Sequence, residues 1–254
     1  MNPVTAAVAL GVLGLIVGGF VAEVSVRLPR DENIVAASWR RRCCGQRRRP
    51  WERVPVFGWL ASRGRCARCQ TRISRRYPLI ELAASAIGVW AALWASGSGA
   101  SVFMMAATAV LGWQLLLIAI VDGENFWLPD ILTLPLIATG LVVAIATGWD
   151  VVLSHLIGAA AGFGGLWLVG WLYQAVRKRQ GLGGGDPFLF AGAGAWVGWL
   201  GLPSVLLWAC AVGLSLVFVL LVVRRSVGAT EKLPFGVVLA VGIWLTWLYG
   251  PLGL

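Results

Sequence analysis

Charge is scarce in this chain. Asp, Glu, Lys and Arg together make up 13% of its 254 residues, against 59% hydrophobic residues and a mean hydropathy of +0.81. That balance excludes an ordinary soluble domain and places the chain among polytopic membrane proteins. Acids number eleven, and there is one histidine, His155. The first apolar run lacks the basic start of a cleaved secretory signal and is too long for one, so it reads as a retained helix. No internal repeat is visible. The arginine-rich stretch has no recognition helix or stacking platform, which leaves membrane tethering and topology, not nucleic acid, as its role.

What the chain does have is apolar length. Runs long enough to cross about 30 Å of hydrocarbon, or nearly so, cover residues 4–26, 79–96, 101–121, 128–147, 151–176, 188–200, 203–223 and 233–249. The expected fold is all-α and polytopic, with about eight transmembrane helices and a small cytoplasmic segment between helices 1 and 2. The sixth run is short and rich in Gly and Ala. It reads as tilted, buried among other helices, or less than a full span. Three segments follow: a first transmembrane helix (1–26), a basic cysteine-bearing segment (27–77) and a larger transmembrane domain (78–254).

Positive charge tests the count. Fifteen of the 21 Lys and Arg residues lie between Arg27 and Arg76, three at 177–179, and three at Arg224, Arg225 and Lys232. With eight spans these clusters follow helices one, five and seven. All then lie on one side, and the positive-inside rule makes that side cytoplasmic. The tryptophans cluster near span ends as an aromatic belt, with Trp167, Trp196 and Trp199 as candidates for packing between helices.

The soluble stretch 27–77 is small for a self-sufficient core. It holds Cys43, Cys44, Cys66 and Cys69, and the Cys66-Ala-Arg-Cys69 spacing suits two thiolates sharing a tetrahedral Zn²⁺. Adjacent cysteines such as Cys43-Cys44 are a poorer chelating pair. Two readings stand: a zinc site made by these four thiols, or a segment held by Trp39, Trp51, Phe57 and Trp59 with its thiols reduced. Cys210, in an apolar run, reads as a small apolar residue.

Two acids resist a packing explanation. Asp122, in IAIVDGENFWLPD, and Asp186, in GLGGGDPFLF, fall at the cytoplasmic ends of their helices, where a carboxylate costs several kcal/mol to hold near the bilayer. As a pair they could share one proton, one activating water while the other polarises a scissile carbonyl. The preceding Gly181, Gly183, Gly184 and Gly185 permit unusual backbone geometry and close approach, and Pro187 suits a helix start. Glu124 and Asp130 are supporting residues, with Asp130 in the first turn of a helix. Glu81 is a further membrane-edge acid. Glu23 and His155 fall within spans, where a lone histidine is usually packed and hydrogen-bonded.

An ordered series of motifs resembles the type IV prepilin peptidases, bifunctional leader peptidase/N-methyltransferases. It comprises Gly18-Gly19-Phe20 through Arg27-Leu28-Pro29, then Val54-Pro55-Val56-Phe57-Gly58-Trp59-Leu60, then Gly64-Arg65-Cys66-Ala67-Arg68-Cys69. Arg75-Arg76-Tyr77-Pro78 through Glu81-Leu82, the Asp122 region, Gly183-Gly184-Gly185-Asp186 and Leu233-Pro234-Phe235-Gly236 complete it. The resemblance implies catalytic Asp122 and Asp186 with Pro234 in support. Its implied substrates are prepilins or pseudopilins, cut at the cytoplasmic face of the bacterial inner membrane. N-methylation would use S-adenosylmethionine. Three positions depart from the family pattern: Arg41 stands at the first upstream zinc cysteine, Ala22 at a first-helix Asn, and Phe188 at a Lys after the glycine motif. Rival readings are a chain that mainly transfers methyl groups, or a membrane scaffold or transporter. The last is disfavoured because the acids lie at one membrane edge and not at the midplane. Oligomeric state is left open.

Overall fold

The computed structural model describes residues 2–32, 43–45, 54–179, 181–224 and 234–252. Its elements are α1 (Pro3–Arg27), α2 (Phe57–Ala61), α3 (Arg76–Ser98), α4 (Val102–Asn125), α5 (Asp130–Thr147), α6 (Trp149–Arg177), α7 (Asp186–Arg224) and α8 (Phe235–Tyr249). Among the described residues there is no strand, only a single bridge between Arg65 and Arg72. Among the described residues six helices are long and apolar enough to cross a membrane, and α8 is a shorter apolar helix. The protein is an all-α, multi-pass membrane protein, as its composition requires. Trp39, Trp51 and Arg41 lie outside the described residues.

The 39 residues of α7 would rise about 58 Å as one straight rod, twice the hydrocarbon thickness. They do not. Gly198 adopts φ 69°, ψ 177° inside the helix, a combination essentially confined to glycine. Contacts on either side run in opposite senses. Before the break, Gly192 and Ala195 lie against Leu136 and Gly140 of α5, in parallel order. Beyond it, Gly201 lies by Thr246, Val205 by Gly242 and Gly213 by Val238, antiparallel to α8. Trp196, just before the break, stacks edge-on with Trp247 near the end of α8, at 5.2 Å. The chain therefore reverses at Gly198 into two arms, 186–197 and 199–224. The short sixth run of the sequence is the first arm, and it is buried almost throughout.

Two compact units divide the chain, 1–117 and 118–254. In the first, α1 and α3 pack closely through small residues, the backbone of Ala84 covering Gly14 and Leu10 covering Gly88. Glu23 and Arg27, one turn apart, form a buried ion pair at 3.0 Å, and Arg76 donates to Ser25 Oγ at 2.9 Å. Trp113 Nε1 donates to the Ala84 carbonyl at 2.8 Å.

One residue of this unit is strained. Val56 has φ 59°, ψ −52°, and Phe57 N–H donates to the Pro55 carbonyl at 2.5 Å. This is a γ-turn, costly for a β-branched residue. Its N–H donates to Glu81 Oε2 at 2.6 Å, which gives the membrane-edge Glu81 a definite role as the anchor of that turn.

In the second unit α6 lies against the first arm of α7, Gly162 meeting the backbone of Phe190 and Gly158 that of Gly194. Trp196 is 1% exposed and donates to the Leu136 carbonyl at 2.9 Å. Trp167 and Trp199 face outward.

Candidate active site

Asp122 sits one turn before the end of α4, and Asp186 is the first residue of α7. Both are only 6% exposed. Asp122 lies near enough to Asp186 for its charge to be felt there. Each is held by the amino-terminal backbone of a helix or turn. Val237 N–H, in the first turn of α8, donates to Asp122 Oδ2 at 3.1 Å, and Gly236 N–H also faces this carboxylate. Gly183 N–H donates to Asp186 Oδ2 at 2.9 Å while Asp186 N–H returns a bond to the Gly183 carbonyl at 3.2 Å. The first N–H groups of a helix have no intrahelical partner, and the positive end of its dipole lies there. A buried carboxylate at such a place is satisfied without a basic side chain.

The glycine run acts by closeness more than by unusual dihedrals. None of Gly181, Gly183, Gly184 and Gly185 is among the positive-φ glycines. A Cβ on Gly185 would strike the carbonyl of Leu128, and one on Gly181 would reach the Tyr173 ring at 2.5 Å. Gly184 faces open space. The loop thus presses on the Phe126–Pro129 link that follows Asp122. In that link Phe126 takes φ 51° and donates its N–H to the Asp122 carbonyl at 2.8 Å.

Of the supporting residues, Glu124 is exposed in the last turn of α4, and Asp130 is exposed as the first residue of α5. Pro234, extended at φ −72°, ψ 96°, is the residue before α8 and aims its first turn. The sequence reading missed Gly236 and Val237 as ligands of Asp122. The available signal was Pro-Phe-Gly opening an apolar helix, a place where unpaired N–H groups must exist.

In the first unit a separate cluster forms. The sulfur atoms of Cys43, Cys44, Cys66 and Cys69 all lie within 4.8 Å of one another. Cys43 and Cys44 are 3.9 Å apart at sulfur, close to the roughly 3.8 Å edge of a tetrahedron with Zn–S bonds of about 2.3 Å. The adjacent pair does converge after all. Cys69 Sγ lies 3.2 Å from Thr71 Oγ1, and this hydroxyl, with the Thr71 N–H, lowers its pKa to about 6. The donor set fits a metal that binds thiolates. Trp59 packs over Gly64 and donates to the Ile73 carbonyl at 3.1 Å, while Phe57 is exposed. Aromatic packing therefore contributes to this segment through Trp59.

Comparison with known proteins agrees across most of the chain. Residues 12–95 match the bacterial peptidase A24 N-terminal domain, and residues 109–220 match the type IV leader peptidase family. A Stutzerimonas stutzeri protein named prepilin leader peptidase/N-methyltransferase is 35% identical over 98% of this chain and 92% of its own length. Proteins of the same name from Burkholderia pseudomallei (strain K96243) and Pseudomonas aeruginosa are 37% and 34% identical. Each match covers 94% of this chain, and 84% and 88% of the respective relative. No solved structure matches.

Proposed function

This chain belongs to the type IV leader peptidase family, and from that premise we propose that it is an aspartic endopeptidase acting through Asp122 and Asp186. Its substrates are prepilins or pseudopilins, cut between a basic leader and the hydrophobic helix that follows. The observation that carries the reading is the pair of buried carboxylates on α4 and α7, each tied to backbone N–H groups and, among the described residues, neither tied to a basic side chain.

The chemistry follows from one proton held between two carboxyls. The ionised member takes a proton from water as its oxygen attacks the scissile carbonyl carbon. The protonated member donates to the carbonyl oxygen, where charge develops. Collapse of the tetrahedral intermediate breaks the C–N bond, and a proton passes to the leaving amine. The products are a leader with a free carboxylate and a mature protein with a free amino terminus. The pair titrates as a unit, so acid and base are roles within it and not fixed residues. The open face of Gly184 gives an extended peptide a place to approach.

The site faces the cytoplasm of the bacterial inner membrane in this proposal. With α7 counted as two arms and the short α2 set aside, the described residues form eight rods, and the clusters at 27–76, 177–179 and 224–232 follow rods one, five and seven in sequence. The segments 1–26, 27–77 and 78–254 serve as anchor, cysteine-bearing segment and peptidase domain. Cys43, Cys44, Cys66 and Cys69 would hold Zn²⁺, which would supply a structural crosslink to a segment too small for its own core. N-methyl transfer is the second activity that the relatives' name carries; here it would act on the new amine, with S-adenosylmethionine as donor.

The test is cleavage of a synthetic prepilin by purified protein in lipid vesicles. Asp122→Asn and Asp186→Asn should each abolish it while protein yield holds; normal cleavage by either would reject the dyad. Mass spectrometry of the product amine, with and without S-adenosylmethionine, decides methylation.

A further inference from the structure

Where α7 breaks at Gly198, its first arm ends inside the protein. In an unbroken helix the Ala195 carbonyl would accept the N–H of Trp199, four residues on. The ψ of 177° at Gly198 turns that N–H away and strands the carbonyl. Ala195 is fully buried, in a membrane protein where an unsatisfied backbone group costs several kcal/mol. The structure supplies a partner: His155 Nδ1 of α6 lies 2.8 Å from Ala195 O. A carbonyl oxygen only accepts, so Nδ1 carries the proton. The one histidine of the chain meets a buried carbonyl at the helix end that the break creates.

Asp186 stands at the other end of that arm. Its Gly183 bond comes from a glycine loop, and Gly192 and Gly194 lower the arm's own helical stability. Helices α5 and α6 pack along the arm, and its far end is tied by hydrogen bonds, through His155 to Ala195 and through Trp196 to Leu136. We propose that His155 is a positioning residue for the peptidase reaction: by capping the Ala195 carbonyl it locks the 186–197 arm and so sets where the Asp186 carboxylate stands. This rests on the reading of Asp186 as catalytic. Displacement of a reacting group by about 1 Å costs on the order of a hundredfold in rate, so a lever of this kind shows in turnover before it shows in substrate binding.

The test uses two near-isosteric variants of the full chain in lipid vesicles. His155→Asn places an amide N–H where Nδ1–H was, and His155→Leu places a methyl there. Hydrogen exchange is read over 186–197 and over 235–249, together with kcat and KM for a synthetic prepilin. The Leu variant should quicken exchange about tenfold in 186–197 and not in 235–249, and lower kcat with KM little changed. The Asn variant should restore both. Unchanged exchange in the Leu variant, a Leu effect confined to KM, or an Asn variant no better than Leu would overturn the proposal. Should the Leu protein fail to accumulate, the Asn variant decides alone: fast exchange or low kcat in it rejects the cap. Exchange does not depend on activity. Normal cleavage by Asp186→Asn would therefore sink the dyad and leave the His155 anchor to be judged on the exchange result.

Discussion

Val237 N–H donates to Asp122 Oδ2 across 115 positions of sequence. This bond ties the start of the last helix to an acid at the end of α4. Gly236, immediately before Val237, is the point of closest approach, since a Cβ there would stand 2.8 Å from Asp122 Oδ2 and 2.9 Å from its Cγ.

Gly236→Ala should therefore cripple cleavage without preventing folding. The added methyl is met by a carboxylate that can rotate away, and that rotation spoils its alignment with Asp186. Cleavage should fall by about ten- to a hundredfold at unchanged protein yield. Wild-type cleavage by this variant would show that the helix start does not set the Asp122 geometry.

Exchange of either acid for its amide removes a group that can hold or release a proton while keeping its shape. Asp122→Asn and Asp186→Asn should each reduce cleavage by at least about a thousandfold, and the double variant should be no worse than either alone. Additive losses in the double variant would mean that the two residues act independently.

Two neighbouring glycines should behave differently. Gly185→Ala forces a Cβ into the Leu128 carbonyl, an overpacking that costs about 1–3 kcal/mol and lowers the thermal unfolding midpoint. Gly184→Ala meets open space and should unfold as wild type does, with any loss confined to peptide cleavage. Equal unfolding midpoints for the two variants would contradict the close packing of the loop on the α4–α5 link.

Zinc content gives a direct check on the four thiols. Purified protein should carry about one Zn²⁺ per chain, and a Cys66→Ser/Cys69→Ser variant should carry none. Elemental analysis reads both. Equal metal in the two proteins would leave the cysteine cluster as reduced thiols.

Much of this was legible in the residues. Apolar run length placed the long apolar helices among the described residues, and it marked the Gly- and Ala-rich run at 188–200 as short, with burial among other helices one of three readings. Asp130 in the first turn of a helix, and Asp186 before Pro187 at another, follow from local rules. The convergence of Cys43 with Cys44 did not, because adjacency argues against chelation until the fold of the segment turns both sulfurs inward. Nor did the service of Gly236 and Val237 to Asp122, or of Leu128 to Gly185. Those contacts join distant stretches, and no spacing within either stretch encodes them. His155 is the middle case: its hydrogen-bonded state could be expected, its partner could not.

The reversal at Gly198 has an effect outside the protein. The arm from 186 to 197 rises about 18 Å, and the 15 residues of α8 rise about 22 Å, both short of a hydrocarbon layer about 30 Å thick. The arm is shielded by neighbouring helices, but lipid that reaches the partly buried face of α8 must compress or bow inward to meet it. Acyl-chain length thereby becomes a physical variable for the enzyme, and vesicles of short-chain phospholipid are the milder host for the half of the molecule that carries the carboxylates.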